Sequence, residues 1–222
     1  MPEIVSIQIG KPRTLKIGTG SSFRSAIRKE PVTGRVYLGT TGFDGDGVGD
    51  PRVHGGPDKA VCVYSLDHYP FWEAELGVSL KPGAFGENLS VSGWDESSVS
   101  IGDVFQIGEA EVQVTQPRQP CHKLNKIFQR QEMACRVQST GYTGFYLRVL
   151  KPGWVAPGDA IRLVHKEGPE FSVDAYNQFL RRERVGREEL ERAREHPALS
   201  EDWKKLLGKL LRQKRTSSPE VS

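Results

Sequence analysis

Short runs in which apolar and polar residues alternate, each cut off by Gly, Pro or Asp, recur from Val5 to Val164, and this pattern decides the fold class. In the first run Val5, Ile7 and Ile9 face one way and Ser6 and Gln8 the other, until Gly10-Lys11-Pro12 stops it. Further strands are predicted at 35–38, 60–64, 104–107, 111–115, 145–150 and 161–164. Val112 and Val114 resume the period of two straight after Gly108-Glu109-Ala110, the mark of a hairpin. With 24 glycines and 14 prolines, the chain has turn residues for many tight connections, which favours short strands over a helix bundle. One helix is predicted with Asp67 as N-cap and Pro70 in its first turn, running through Trp72 to Leu76.

From about Gly168 the texture changes to charged helical segments at 172–182, 187–195 and 200 to about 213. The last places Trp203, Leu206, Leu207, Leu210 and Leu211 on one face behind the cap candidate Ser200. The chain therefore reads as a β-rich domain at 1–167, a small all-α module of three helices at 168–215 and a flexible polar tail at 216–222. Three short helices bury too little surface to stand alone, so the apolar face must pack on the β domain, a second subunit or a partner. No thiol lies beyond Cys135, and a redox centre is therefore expected to survive removal of the module.

The bulk chemistry excludes several function classes. No apolar stretch approaches the roughly 20 residues of a membrane span, which points to a cytoplasmic protein with no membrane partner. Lys and Arg total 31 against 28 Asp and Glu, a net charge of +3 that gives no footprint for nucleic acid. Cysteines at 62, 121 and 135 make no disulfide framework, and the absence of CxxC and HxxxH pairs argues against zinc. Cys62 sits in the apolar run Val61-Cys62-Val63-Tyr64 and reads as core; Cys135 reads as structural.

Cys121 differs. It lies in Gln116-Pro117-Arg118-Gln119-Pro120-Cys121-His122-Lys123-Leu124-Asn125, where two prolines fix the backbone and Arg118 and Lys123 bracket the thiol. Cationic neighbours favour the thiolate, the form that attacks or binds metal, and this polar setting outweighs the alternative of a small buried hydrophobe. His122 is a weaker second ligand, because adjacent side chains on extended backbone diverge. Two further clusters stand out. In Val53-His54-Gly55-Gly56-Pro57-Asp58-Lys59 the paired glycines permit close backbone approach to a ligand, with His54 as donor or acceptor; a turn feeding the next strand accounts for them equally. In Gly83-Ala84-Phe85-Gly86-Glu87-Asn88-Leu89, Asn88 can offer an amide edge to a heterocycle and Glu87 can hold a cation, and a bulge or loop explains the segment as well. The glycine-rich stretch 39–56, with Asp44, Asp46 and Asp50, lacks the terminal Glu of a calcium loop and reads as a solvated turn-rich segment.

Taken together, HGGPDKAVCVY at 54–64, FGENLS at 85–90, IGDVFQIGEAEVQVTQPRQPCHKLN at 101–125 and TGYTGFYLRVL at 140–150 resemble the MOSC domain, named for the C-terminal domain of molybdenum cofactor sulfurases. The likeness is greatest to a bacterial stand-alone branch with a three-helix appendage. It implies a mainly antiparallel β-barrel with a few helices, holding a molybdopterin-type cofactor in a cleft. Cys121 falls on the family's single Cys and is the implied molybdenum ligand; a soft thiolate suits a metal already held by dithiolene sulfurs. Lys11 is the first candidate for the pterin's phosphate, with Arg13 and Arg118 as alternatives, and Asn88 corresponds to a position near the pterin. His54 and Lys123 join Cys121 as candidates for catalysis, by supplying protons or orienting the substrate. Relatives that reduce amidoximes in mammals carry a basic residue where this chain has Gly86, so pterin contacts do not transfer wholesale.

The implied activity is reduction of N-hydroxylated small molecules of the hydroxylaminopurine or amidoxime type. Without a cysteine set for an iron–sulfur cluster or a Gly-rich dinucleotide fingerprint, the chain is expected to need a separate electron-donor reductase, such as a flavoprotein. Neither an iron–sulfur cluster nor pyridoxal phosphate is expected, and a homodimer is left open. The alternative is a molybdenum-cofactor carrier or sulfur-transfer protein with Cys121 as persulfide site.

Overall fold

A computed structural model of the chain describes residues 2–17, 21–50, 54–181 and 185–216. Its strands are β1 (Glu3–Ile9), β2 (Arg13–Ile17), β3 (Ser21–Ser25), β4 (Glu30–Pro31), β5 (Val36–Gly39), β6 (Gly42–Phe43), β7 (Val61–Ser65), β8 (Leu89–Ser92), β9 (Val104–Ile107), β10 (Ala110–Pro117), β11 (Phe145–Lys151), β12 (Gly153–Val155) and β13 (Ile161–His165). Its α-helices are α1 (Tyr69–Leu76), α2 (Lys123–Ile127), α3 (Met133–Thr140), α4 (Val173–Arg181), α5 (Arg187–Glu195) and α6 (Glu201–Thr216). Arg182, and the tail over 217–222, lie outside the described residues.

Eight strands form one sheet in the order β13-β9-β10-β11-β7-β8-β1-β4. The expected antiparallel barrel is corrected here to a curled mixed sheet, a half-barrel, because β7 and β8 run parallel. The segment between them, which holds α1, is long enough to carry the chain back to the starting end, which a hairpin turn cannot do. The sheet curls until Glu3 of β1 bridges Ala160, just before β13, so its two ends approach each other. β2–β3 and β12-β5-β6 form two smaller sheets.

The predicted facing of β1 also changes. Val5 is 41% exposed, whereas Ile4 and Ile7 are fully buried. The register against β8 shifts between Ile4 and Ser6, and a β-bulge of that kind switches the side facing the core. At the predicted helix, Ser65 rather than Asp67 caps: its Oγ accepts the Asp67 N–H at 3.3 Å in a single 3-10 turn, after which α1 begins with Pro70 in its first turn. The Asp67 carboxylate instead accepts the Gly93 N–H at 2.9 Å.

The three C-terminal helices form as expected, and their apolar face covers the sheet of the same chain. Val173, Tyr176, Trp203 and Leu207 are buried in one hydrophobic cluster with Ile4, Leu38 and Val114. Backbone polar groups are satisfied across this contact: the Trp203 indole N–H donates to the Pro117 carbonyl at 3.1 Å, and the Ser200 N–H to that of Thr115 at 3.2 Å. A second, smaller cluster of Tyr64, Tyr69, Trp72, Phe85, Leu124, Met133 and Val137 lies under α1, α2 and α3. Among the described residues no helix is long and apolar enough to cross a membrane.

Candidate functional site

A cavity of about 510 Å³ is walled by the end of β3, the glycine-rich 39–49 segment, residues 54–56 and 59–60, β7 and the segment after β10. Of the residues singled out from the sequence, His54, Asn88, Arg118, Cys121 and Lys123 all line it. Lys11 and Arg13 do not. Arg13 forms an exposed ion pair with Glu30 at 2.8 Å, and Lys11 stands exposed beside Gly47 at the cavity's outer wall.

The end of β10 delivers Arg118 to the interior. Its N–H donates to the Gly144 carbonyl at 2.9 Å and its Nη2 to the Phe85 carbonyl at 2.6 Å. The residue is only 7% exposed, yet Nη1 has no partner among the described residues. A buried guanidinium nitrogen left unpaired is costly, and an anionic or carbonyl-bearing ligand would satisfy it.

The turn carrying Phe85 is built by Glu87. Its buried carboxylate accepts N–H groups from Gly83 at 2.8 Å and Phe85 at 3.1 Å, and hydroxyls from Tyr69 and Ser90 at 2.8 Å each. Those bonds occupy the carboxylate, so Glu87 shapes the turn rather than holding a cation. Within the turn Gly86 has φ 81°, and a Cβ there would stand 2.6 Å from Ile27 Cγ1. A side chain there would force Ile27 to shift and would sit in strained backbone, which accounts for the glycine.

Asn88 also holds the wall together. Its Oδ1 accepts the Cys62 N–H at 3.1 Å, while Nδ2 donates to the Gln8 carbonyl at 3.2 Å and to Asp46 at 2.7 Å. The amide edge foreseen for a heterocycle is thus committed to protein groups. Asp46 in turn accepts the Gly10 N–H at 2.8 Å and ion-pairs with Lys29. Both charged side chains are buried, at 10% and 6% exposure, so the glycine-rich segment is pinned at its centre rather than solvated.

Cys121 is half-buried in the wall, where its carbonyl accepts the Leu124 N–H at 2.9 Å and starts the turn into α2. His122 Nδ1 stands 3.9 Å from the sulfur, and the imidazole is exposed. Lys123 carries its charge to the opposite rim: a Cβ on Gly49 would lie 3.6 Å from its Nζ. Among the described residues Lys123 has no ion pair.

Lys29, Asp46, Lys59, Cys62 and Tyr146 are among the wall residues that the sequence did not assign to the site. Cys62 is buried, as expected, but it faces away from Val61 and Val63, and strand alternation alone carried that signal. Tyr146 pairs with it in register on β11. Burial raises the pKa of both, so each holds its proton at neutral pH.

His54 moves the other way. Burial first, then the charges of Lys123, Arg118 and Lys59, hold its pKa below the ordinary 6.5, with Asp50 opposing. The folded chain then binds fewer protons here than the unfolded one. His54 contributes nothing to stability well above pH 6.5, and penalises the fold as pH falls below that value. A ring-proton NMR titration should place the His54 midpoint below 6.5. Lys123→Ala should move it back only part of the way, since burial is the larger cause. A wild-type midpoint at or above 6.5 would contradict the burial seen here.

Fold and site together define a curled β-sheet protein that presents one half-buried thiol and a buried arginine to a cation-rich, glycine-walled ligand cavity. The MOSC domain model matches residues 50–162, and the chain belongs to the MOSC family. It is 47% identical over 201 residues to the uncharacterized protein YflK of Bacillus subtilis, with 90% of each chain covered. The crystal structure of YiiM from Geobacillus stearothermophilus superposes with a TM-score of 0.81 at 36% identity, covering 95% of this chain and all of that one. A protein named reductase in Gibberella moniliformis is 36% identical over 185 residues, 82% of this chain but 33% of its own length.

Proposed function

We propose that this chain is a molybdenum-cofactor-dependent oxidoreductase acting in the cytoplasm on N-hydroxylated compounds of the hydroxylaminopurine or amidoxime type, with Cys121 as the protein thiolate on the metal. The observation that carries the reading is one cavity in which a half-buried Cys121 thiol stands with a buried, half-satisfied Arg118. A pterin dithiolene cofactor is anionic and its metal is soft, so a cation-lined pocket ending in one thiolate fits it. Family membership supports the same cofactor, since MOSC domains are associated with it. The name of the Gibberella relative belongs to a protein about two and a half times as long and supports reduction only as a class of reaction.

When bound, the cofactor supplies a metal able to accept an oxygen atom and to pass two electrons. The residues of the chain hold that group and manage protons. Arg118 and Lys123 would meet its anionic part, with Lys11 and Arg13 outside the lining as more distant contributors. Reduction of an N–OH group to N–H and water consumes two electrons and two protons. Burial makes Tyr146 hold its proton tightly, so the phenol serves as a hydrogen-bond donor to the substrate, and His54, whose pKa stays nearer neutrality, is the better group to relay protons. The electrons must come from a separate reductase, a flavoprotein in this reading.

The test is to produce the protein in cells that make the cofactor, measure molybdenum after gel filtration, and assay reduction of 6-hydroxylaminopurine with a chemical reductant. Stoichiometric molybdenum with turnover is the expected outcome. Molybdenum without turnover would favour a carrier, and a persulfide on Cys121 without molybdenum a sulfur-transfer protein.

A further inference from the structure

The wall bearing His54, Gly55 and Gly56 has few restraints from its own segment: the His54 N–H donates to the Asp50 carbonyl at 2.9 Å and the Lys59 N–H to the Gly56 carbonyl at 3.0 Å. Gly56 has φ 99°, and the two glycines have the widest backbone freedom of any residue, so the chain here needs outside restraint to keep one shape. Residues Pro57–Lys59 form one 3-10 turn that supplies no buried side chain.

The restraints come from β10, β11 and the C-terminal helices. The Asp58 carbonyl accepts the Thr115 hydroxyl at 2.7 Å. The Asp58 carboxylate ion-pairs with Arg148 of β11 at 2.7 Å. The same guanidinium donates to the Ala198 carbonyl, between α5 and α6, at 3.1 Å and to the Gln113 side chain at 3.3 Å. The next residue, Lys59, which lines the cavity and has its side chain 11% exposed, pairs with Asp202 of α6 at 2.6 Å.

We propose that Arg148 and Asp202 are positioning residues of the cavity: through them the C-terminal helices hold the 54–59 wall in the shape that its ligand meets. The proposal rests on reading the cavity as the cofactor site. It reverses the expectation that a redox centre survives without those helices, because the Lys59–Asp202 pair and the Ala198 carbonyl that fixes Arg148 leave with them. A wall held in advance loses less freedom on binding, so the ligand is retained longer.

The test compares full-length Asp202→Asn and Arg148→Gln with two controls. Asp202→Glu keeps the ion pair. Leu211→Ala opens the buried face of α6 without touching the wall. Amide hydrogen exchange of the segment around 54–59 is followed in cofactor-free protein, and molybdenum retention after dialysis in protein from cofactor-making cells. Asp202→Asn and Arg148→Gln should each speed exchange in that segment and lower retention by about fivefold, the scale of one partly exposed ion pair. Asp202→Glu should read as wild type, and Leu211→Ala should lower global stability with no selective change at 54–59. Wild-type exchange in both test variants would overturn the proposal. So would a loss in Leu211→Ala equal to that in Asp202→Asn, which would mean that the helices act only through global stability. A wild-type protein that holds no molybdenum would sink the cofactor reading, while the exchange arm would still decide whether the clamp exists.

Discussion

Cys121→Ser is expected to reduce molybdenum-dependent turnover to background while the folded structure and its unfolding midpoint stay close to wild type. The sulfur is half-buried in a cavity wall rather than packed in the core, so little burial is lost. The Cys121 carbonyl that accepts the Leu124 N–H belongs to the backbone and survives the change. What changes is the ligand atom, from soft sulfur to hard oxygen of similar size, and a soft metal site distinguishes them strongly. Electron paramagnetic resonance of the metal, read beside turnover with a chemical reductant, checks this. An unchanged spectrum and rate would remove Cys121 as the ligand. If Cys62→Ser lost the metal signal instead, the other cavity thiol would take its place.

The largest effect on stability is expected from Asp46→Ala. The substitution leaves Lys29 charged and buried, and it also strips an acceptor from the Gly10 N–H and from Asn88. Breaking a buried ion pair from one side costs about 3–5 kcal/mol, because the remaining charge stays out of water without a partner. Urea unfolding should show that loss as a lower midpoint at unchanged slope. Adding Lys29→Met should recover a large part of it, since removing both charges abolishes the desolvation cost that one alone retains. A single-variant loss below about 1 kcal/mol would show that the pair behaves as a surface one. Since Asn88 links Asp46 to the backbone of Cys62, the single variant should also loosen the cavity wall.

Local sequence determined much of this protein. Period-two runs placed β7, β9, β10 and β11, the hairpin at Gly108 followed from its turn residues, and the C-terminal helices followed from the charged texture after Gly168, with helical spacing clearest in the last. The setting of Cys121 between Arg118 and Lys123 singled out three residues that do line one cavity. These features depend on neighbours within a few positions, where backbone sterics and side-chain periodicity act directly. Tertiary structure decided the rest. The parallel pairing of β7 with β8 depends on where a long crossover returns, and the face of β1 on a bulge against a strand far along the chain. The Asp46–Lys29 pair, the commitment of Asn88 and Glu87 to protein partners, and the Arg148 and Asp202 ties to the 54–59 wall join groups far apart in sequence. No local pattern encodes such partners. A carboxylate or amide in a turn looks alike whether it meets water or a buried cation, and only the packed fold supplies the partner that decides between them.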